Sequence, residues 1–204
     1  KGIYFEYKPA SGTTVIGQHA YLVSRDGKGN ERVIRGGVPD PDRDGSTLGA
    51  ATMFVGGNIT VQADIPLQKS KDAYKEGDTP ETRQARKLDL GGRDPETVWK
   101  DMTARAREIG KAGINYNAIK EGDKNNLEKA EVAQTSNSVT RAVLKPGKIE
   151  LDMALPPGLN VKHFFGLGND LTNPQGGRDN KPERDGADGA EKPDEKSETG
   201  PPAT

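Results

Sequence analysis

The sequence has no cysteine, only two histidines, and few aromatics, 5% of 204 residues. The first absence excludes disulfide frameworks, thiolate metal sites and cysteine nucleophiles in the chain as it stands. It says nothing of compartment. No apolar run is long enough to span a membrane, and the front carries no charged-then-apolar leader pattern. A surplus of one charge is also missing: 30 basic and 31 acidic residues leave a net charge of -1. No global positive field is present to attract nucleic acid or anionic lipid, so neither partner is expected. The phosphate-binding loop, the dinucleotide fingerprint and the G-x-S-x-G serine elbow are all absent. Nothing in the residues asks for a cofactor.

What is present is polar. Hydrophobic residues make up 31% and charged residues 30%, with a mean hydropathy of -0.85. Such a chain suits one domain of about 150–170 residues with disordered material attached. Residues 173–204 supply the latter: five prolines, five glycines, thirteen charged residues and three alanines. That composition buries too little surface to offset chain entropy. The expected organisation is therefore an ordered domain over residues 1–172 and a disordered tail over residues 173–204. The tail opens on "GNDLTN", a single copy of a calcium-repeat-like string without glycine-rich neighbours. Upstream, "DPDRDG" groups three carboxylates, but not at EF-hand spacing, and solvation is their simplest use.

The first third reads as β-structure. "IYFEY" alternates apolar and polar residues. "HAYLVS", "RDGKGN" and "ERVIRGG" form a hairpin, with turn residues between two β-prone runs. "NITVQADIPL" sets Ile59, Val61, Ala63 and Ile65 on one face of a further strand, which also argues against glycosylation of its sequon. Residues 69–92 read as a polar, exposed excursion. A helix follows in "DPETVWKDMTARAREIGKAG", capped by Asp94, with Pro95 in its first turn. Val98, Met102, Arg105 or Ala106, and Ile109 form its buried stripe, and Trp99 packs at the edge. A second helix opens in "TSNSVTRAVL", buries Val139, Ala142 and Val143, and stops at Pro146-Gly147. The proline-rich end covers the core with Phe164 or Phe165. The fold class is α+β: a small antiparallel sheet packed on two or three helices.

Chemistry concentrates at two places. His19 heads a strand, and an imidazole titrates near neutrality, as a general base must. Pairing to backbone or solvent is its plainer use. The other histidine, His163, has no ligand spacing to His19 that would make a metal site. Ser136 lies in "TSNSV", where Thr135, Ser136, Asn137 and Ser138 all compete to cap the helix. The same geometry suits a nucleophile. A helix N-terminus stabilises an anion, and its N–H groups can hold an oxyanion. A serine needs an adjacent base, and His19 would have to be it.

Together, "GQHAYLV" on an early strand, the hairpin ending "VIRGG", and "TSNSV" on a later helix resemble the permuted papain-like (NlpC/P60-type) hydrolases. In that family the histidine strand precedes the nucleophile helix, and the nucleophile appears as Asn-Cys-Asn followed by a small polar and an apolar residue. The resemblance implies a permuted papain-like fold, Ser136 at the nucleophile position and His19 as base. The family's third polar residue follows the histidine strand, where Arg35 and Gln62 are the candidates by position, with oxyanion support near Asn137. Serine in place of cysteine leaves a working serine hydrolase, a lapsed enzyme used for binding, or a deliberately inactivated protein. The implied substrate is a peptide or a peptidoglycan-like amide. The alternative is a non-catalytic module of a bacterial secreted or effector protein that binds a protein partner on the same fold.

Overall fold

The computed structural model describes residues 1–9, 17–37, 58–78, 83–116, 134–164 and 166–171. The charged tail over residues 173–204, the "DPDRDG" loop and Phe165 lie outside them. Among the described residues five strands form one antiparallel sheet: β1 (Gly2–Pro9), β2 (Gln18–Arg25), β3 (Glu31–Gly37), β4 (Thr60–Pro66) and β5 (Gln84–Lys87). The order across the sheet is β4-β3-β2-β1-β5. Helices α1 (Pro95–Lys111), α2 (Ser136–Leu144) and the short α3 (Leu151–Ala154) follow. An α+β fold with an antiparallel sheet and about three helices is therefore what this sequence forms.

Alternation along the strands sorts side chains onto two faces. Ile3, Phe5, Ala20, Leu22 and Ile34 join the main core with α1 and α2. Tyr21, Val23 and Val33 face the other way and meet Leu67. Leu67 begins the segment 67–78, which lies against this outer face and is called the strap below. Both faces of β2 are thus covered, and Ala20 through Ser24 are buried without a break. The hairpin between β2 and β3 forms as its turn residues require, with Gly27 and Gly29 at φ 80° and 95°.

Two features depart from the alternation and the polarity of the sequence. Ile59, just before β4, and Val61 and Ala63 on it meet the main core, but Ile65 joins the outer cluster. The cause is a bulge: Val33 pairs with Ile65 and Ile34 with Ala63, leaving Asp64 as the extra residue. Asp64 sits at φ 63°, a conformation that aspartate tolerates better than most residues. Its carboxylate accepts from the Trp99 indole N–H at 2.7 Å and from Arg32 at 3.2 Å. Trp99 is buried, as packing on α1 demands, and its one polar atom is satisfied by the bulge residue. The second departure is the stretch over residues 69–92. It is no exposed excursion: Ser70, Asp72, Arg83, Leu88 and Leu90 are buried, and Gln84–Lys87 adds the fifth strand against β1.

Helix α1 starts where its capping residues direct, with the Asp94 carboxylate accepting from the Thr97 N–H at 2.9 Å. Val98, Met102, Ala106 and Ile109 are buried. Beyond α3, Phe164 seals the core edge-on against Phe5 and Tyr7 at centroid distances of 5.6 and 5.4 Å.

Candidate active site

The start of α2 distributes its polar side chains so that only one is left for chemistry. Thr135 is the N-cap, and its hydroxyl accepts from the Asn137 N–H at 3.2 Å. Ser138 completes the capping box by accepting from the Thr135 N–H at 3.1 Å, and it donates to the Gly166 carbonyl at 2.7 Å. Asn137 crosses to the histidine strand. Its amide donates to the Gln18 carbonyl at 2.9 Å and its oxygen accepts from the Ala20 N–H at 2.8 Å. Thr140 adds a bond to the Ala20 carbonyl at 3.0 Å. These bonds fix the helix start against β2 on both sides of His19.

Ser136 occupies the first helical position, partly exposed, and its Oγ lies 3.3 Å from His19 Nδ1. The approach depends on a glycine. A Cβ on Gly36 of β3 would sit 2.6 Å from the Ser136 carbonyl oxygen and 2.7 Å from its Cα. Only a residue without a side chain lets the helix start lie this close to the sheet.

His19 belongs to the outer face of β2, where its ring stacks on Tyr21 at a centroid distance of 5.7 Å. Its Nε2 lies 3.1 Å from Asp72 Oδ2, on the strap. Asp72 is almost fully buried. A turn places it: the Ser70 hydroxyl donates to the Leu67 carbonyl at 2.8 Å and accepts from the Asp72 N–H at 3.0 Å. With a carboxylate at Nε2, the proton belongs there. The Nδ1 lone pair then faces the serine hydroxyl as acceptor. Ser136, His19 and Asp72 therefore stand in line, from the helix layer through a strand to the strap.

Two cations share the carboxylate. Lys8 Nζ lies 2.8 Å from Asp72 Oδ1, and Arg35 Nε donates to Oδ2. The Arg35 Nη2 is also 3.4 Å from His19 Nε2. Both nitrogens are donors in this state, so they converge on Asp72 rather than bond each other. Burial lowers the His19 pKa from its ordinary value, and the hydrogen bond and charge of Asp72 only partly restore it. Burial alone would raise the Asp72 carboxyl. The hydrogen bond and charge of His19, the charge of Arg35 and the Lys8 hydrogen bond outweigh it and hold Asp72 well below the carboxylate range. The resting pair is a neutral imidazole on an ionised aspartate.

Of the residues marked in the sequence, His19 and Ser136 come together although 117 positions separate them. Arg35 reaches the site through Asp72, one step from the imidazole. Gln62 instead accepts from the Lys71 N–H at 3.4 Å, beside the strap. The Asn137 N–H is directed at Thr135, and the side chain serves the strand. His163 turns away to local use, with Nδ1 accepting from the Asn160 N–H at 3.2 Å. Asp72 is the residue that sequence reasoning missed, because "KSKDAYKEG" offers no periodicity and no distinguishing neighbour. Among the described residues, no cluster of three or more metal-ligating side chains occurs. Asp170, in the calcium-repeat-like string, is instead paired to Arg141 and Lys145 at 2.7 and 2.9 Å. No family model, no curated protein and no solved structure matches this chain.

Proposed function

We propose that this domain is an amide-bond hydrolase of the permuted papain-like kind, with Ser136 as nucleophile, His19 as base and Asp72 as the residue that orients the imidazole. One observation carries the reading: the Ser136 Oγ, 3.3 Å from a nitrogen of a largely covered imidazole whose opposite nitrogen is 3.1 Å from a carboxylate. Nucleophile, base and orienting group within reach of one another are the signature of an activated hydroxyl. The ring is turned so that Nδ1 serves the nucleophile, the reverse of the chymotrypsin-type triad. The order of a histidine strand before a nucleophile helix also agrees with the motif resemblance.

The step follows from these positions. Ser136 attacks the carbonyl carbon of the amide while His19 Nδ1 takes the hydroxyl proton. Asp72 stabilises the imidazolium so formed. The oxyanion falls to the N–H of Ser136, which as the first amide of α2 has no acceptor within the helix. Collapse expels the amine, which receives its proton from Nδ1, and leaves an ester on Ser136. Water, deprotonated by His19, releases the carboxylic acid. The substrate class is a peptide or a peptidoglycan-like amide.

The test compares this chain with Ser136→Ala and His19→Ala, using peptidoglycan fragments, a peptide panel and a fluorophosphonate probe read by mass spectrometry. The parent should label on Ser136 and turn over substrate. Either variant should lose at least about a thousand-fold in kcat. A parent that is folded yet neither labels nor turns over any substrate would sink the enzyme and leave the partner-binding module.

A further inference from the structure

Two cations converge on Asp72 behind the His19 ring. The Asp72 side chain is 2% exposed, and one carboxylate stands between Arg35 and Lys8, whose side chains are 10% and 18% exposed. The sum of these three charges is positive, and it lies on the Nε2 side of His19. Groups on the neighbouring elements do not cancel it. On the outer face, Asp78 pairs with Arg83 at 2.9 Å, and Glu6 pairs with Arg25 at 2.5 Å. Beneath the ring, Tyr21 is a neutral phenol, its pKa raised by burial. Ser136 faces Nδ1 as an uncharged hydroxyl.

A hydroxyl and a thiol make different demands on a histidine. The hydroxyl needs a neutral imidazole at rest, which becomes charged only while the reaction proceeds. A catalytic thiol typically gives up its proton at rest, so that a thiolate faces an imidazolium. Arg35 and Lys8 offset the Asp72 charge that would otherwise favour that resting imidazolium. They leave the neutral imidazole required by a hydroxyl undisturbed.

We propose that Lys8 and Arg35 are positioning residues that hold His19 as an uncharged base through Asp72, so that this site is built for the hydroxyl of Ser136 and not for a thiol. The inference rests on the Ser136–His19 pairing proposed above. On this account serine at position 136 is the working residue, neither lapsed nor substituted for cysteine.

The experiment follows the ring nitrogens of His19 by NMR as pH is varied, in the full chain and in Ser136→Cys. Lys8→Met and Arg35→Lys are each combined with both. Alkylation of the thiol introduced by Ser136→Cys, the chain's only one, is followed with iodoacetamide in parallel, with and without His19→Ala. In Ser136→Cys with both cations present, His19 should stay neutral at pH 7, and alkylation should show no plateau at acidic pH. Lys8→Met should raise the His19 midpoint by about one unit and extend alkylation of the introduced thiol to lower pH. Arg35→Lys keeps the charge and should leave the midpoint within about a few tenths of a unit.

An imidazolium already present at pH 7 in Ser136→Cys would overturn the proposal while leaving the pairing intact. An unmoved His19 midpoint in Lys8→Met would overturn it as well. A third result is distinct: alkylation independent of His19 in every background would remove the pairing itself, and the inference with it.

Discussion

His19 lies under two opposed influences, and their balance fixes how the site should respond to acid. Burial favours the neutral ring and the Arg35 and Lys8 charges add to it, while the Asp72 carboxylate favours the charged one, and the first side prevails. A general base whose pKa is lowered stays deprotonated further into acid than an ordinary histidine. The acid limb of kcat/KM should therefore have its midpoint below about 6.5, the unperturbed imidazole value. A limb centred above that value would contradict the assignment of the base. Asp72→Asn removes the group that holds the proton on Nε2. It should reduce kcat by roughly a thousand- to ten-thousand-fold while substrate binding changes little, as steady-state kinetics can show. At this scale the sequence was half legible. His19 and Ser136 stood out because histidine is scarce here and because a helix start shows in residue type. Asp72 is one acidic residue among 31, and its role comes from a burial that only the tertiary fold confers.

Two elements bring the triad together, and each has one residue on which its position depends. For α2 it is Gly36. An alanine there would drive its Cβ into the backbone of Ser136, which cannot yield as a flexible side chain would. Gly36→Ala should shift the helix start, destabilise the fold by about 1–3 kcal/mol and lower kcat by about a hundred-fold. Denaturation and kinetics measure the two effects. Stability falling while kcat holds would mean that the helix start does not set the nucleophile.

For the strap the residue is Arg83. Its guanidinium donates to the Tyr21 hydroxyl at 3.0 Å, the Ala73 carbonyl at 2.9 Å and Asp78 at 2.9 Å, and it lies 4.2 Å from the Tyr74 ring centroid. Arg83→Met should free the strap, so hydrogen exchange should quicken at residues 70–74 as kcat falls. Lost activity with unchanged exchange there would place the effect elsewhere. Elements were the most legible level of this chain. Strand alternation, the hairpin turn, the Asp94 cap and both buried helix stripes follow from local chemistry, whereas the second helix start showed four competing caps of which the fold uses Thr135. What escaped was the strap, because its polar residues are buried by partners distant in sequence. The bulge at Asp64 escaped for the same reason.

Over the whole molecule, the triad spans the joint between two coverings of one sheet, helices on one face and the strap on the other. Acid should therefore act on fold and site together, and the signs can be worked out group by group. Asp72 has a folded pKa below its unfolded value. Its contribution is complete above about pH 4 and is lost as pH falls further. His19, also lowered, resists a proton that the unfolded chain accepts, so stability declines as pH drops below about 6.5. Glu6 acts in the opposite sense. Burial raises its pKa more than Arg25 lowers it, so the folded chain takes up that proton first and gains stability as pH falls toward the unfolded value of 4.5. Between the two unfolded values, about 6.5 for His19 and 4.5 for Glu6, the His19 loss and the Glu6 gain oppose each other. Removing His19 should leave Glu6 acting alone. In His19→Gln, the urea midpoint should hold or rise over that interval, while the parent falls or rises less. Parallel curves for the two proteins would show that His19 is not held neutral by the fold, and the buried base would lose its physical support.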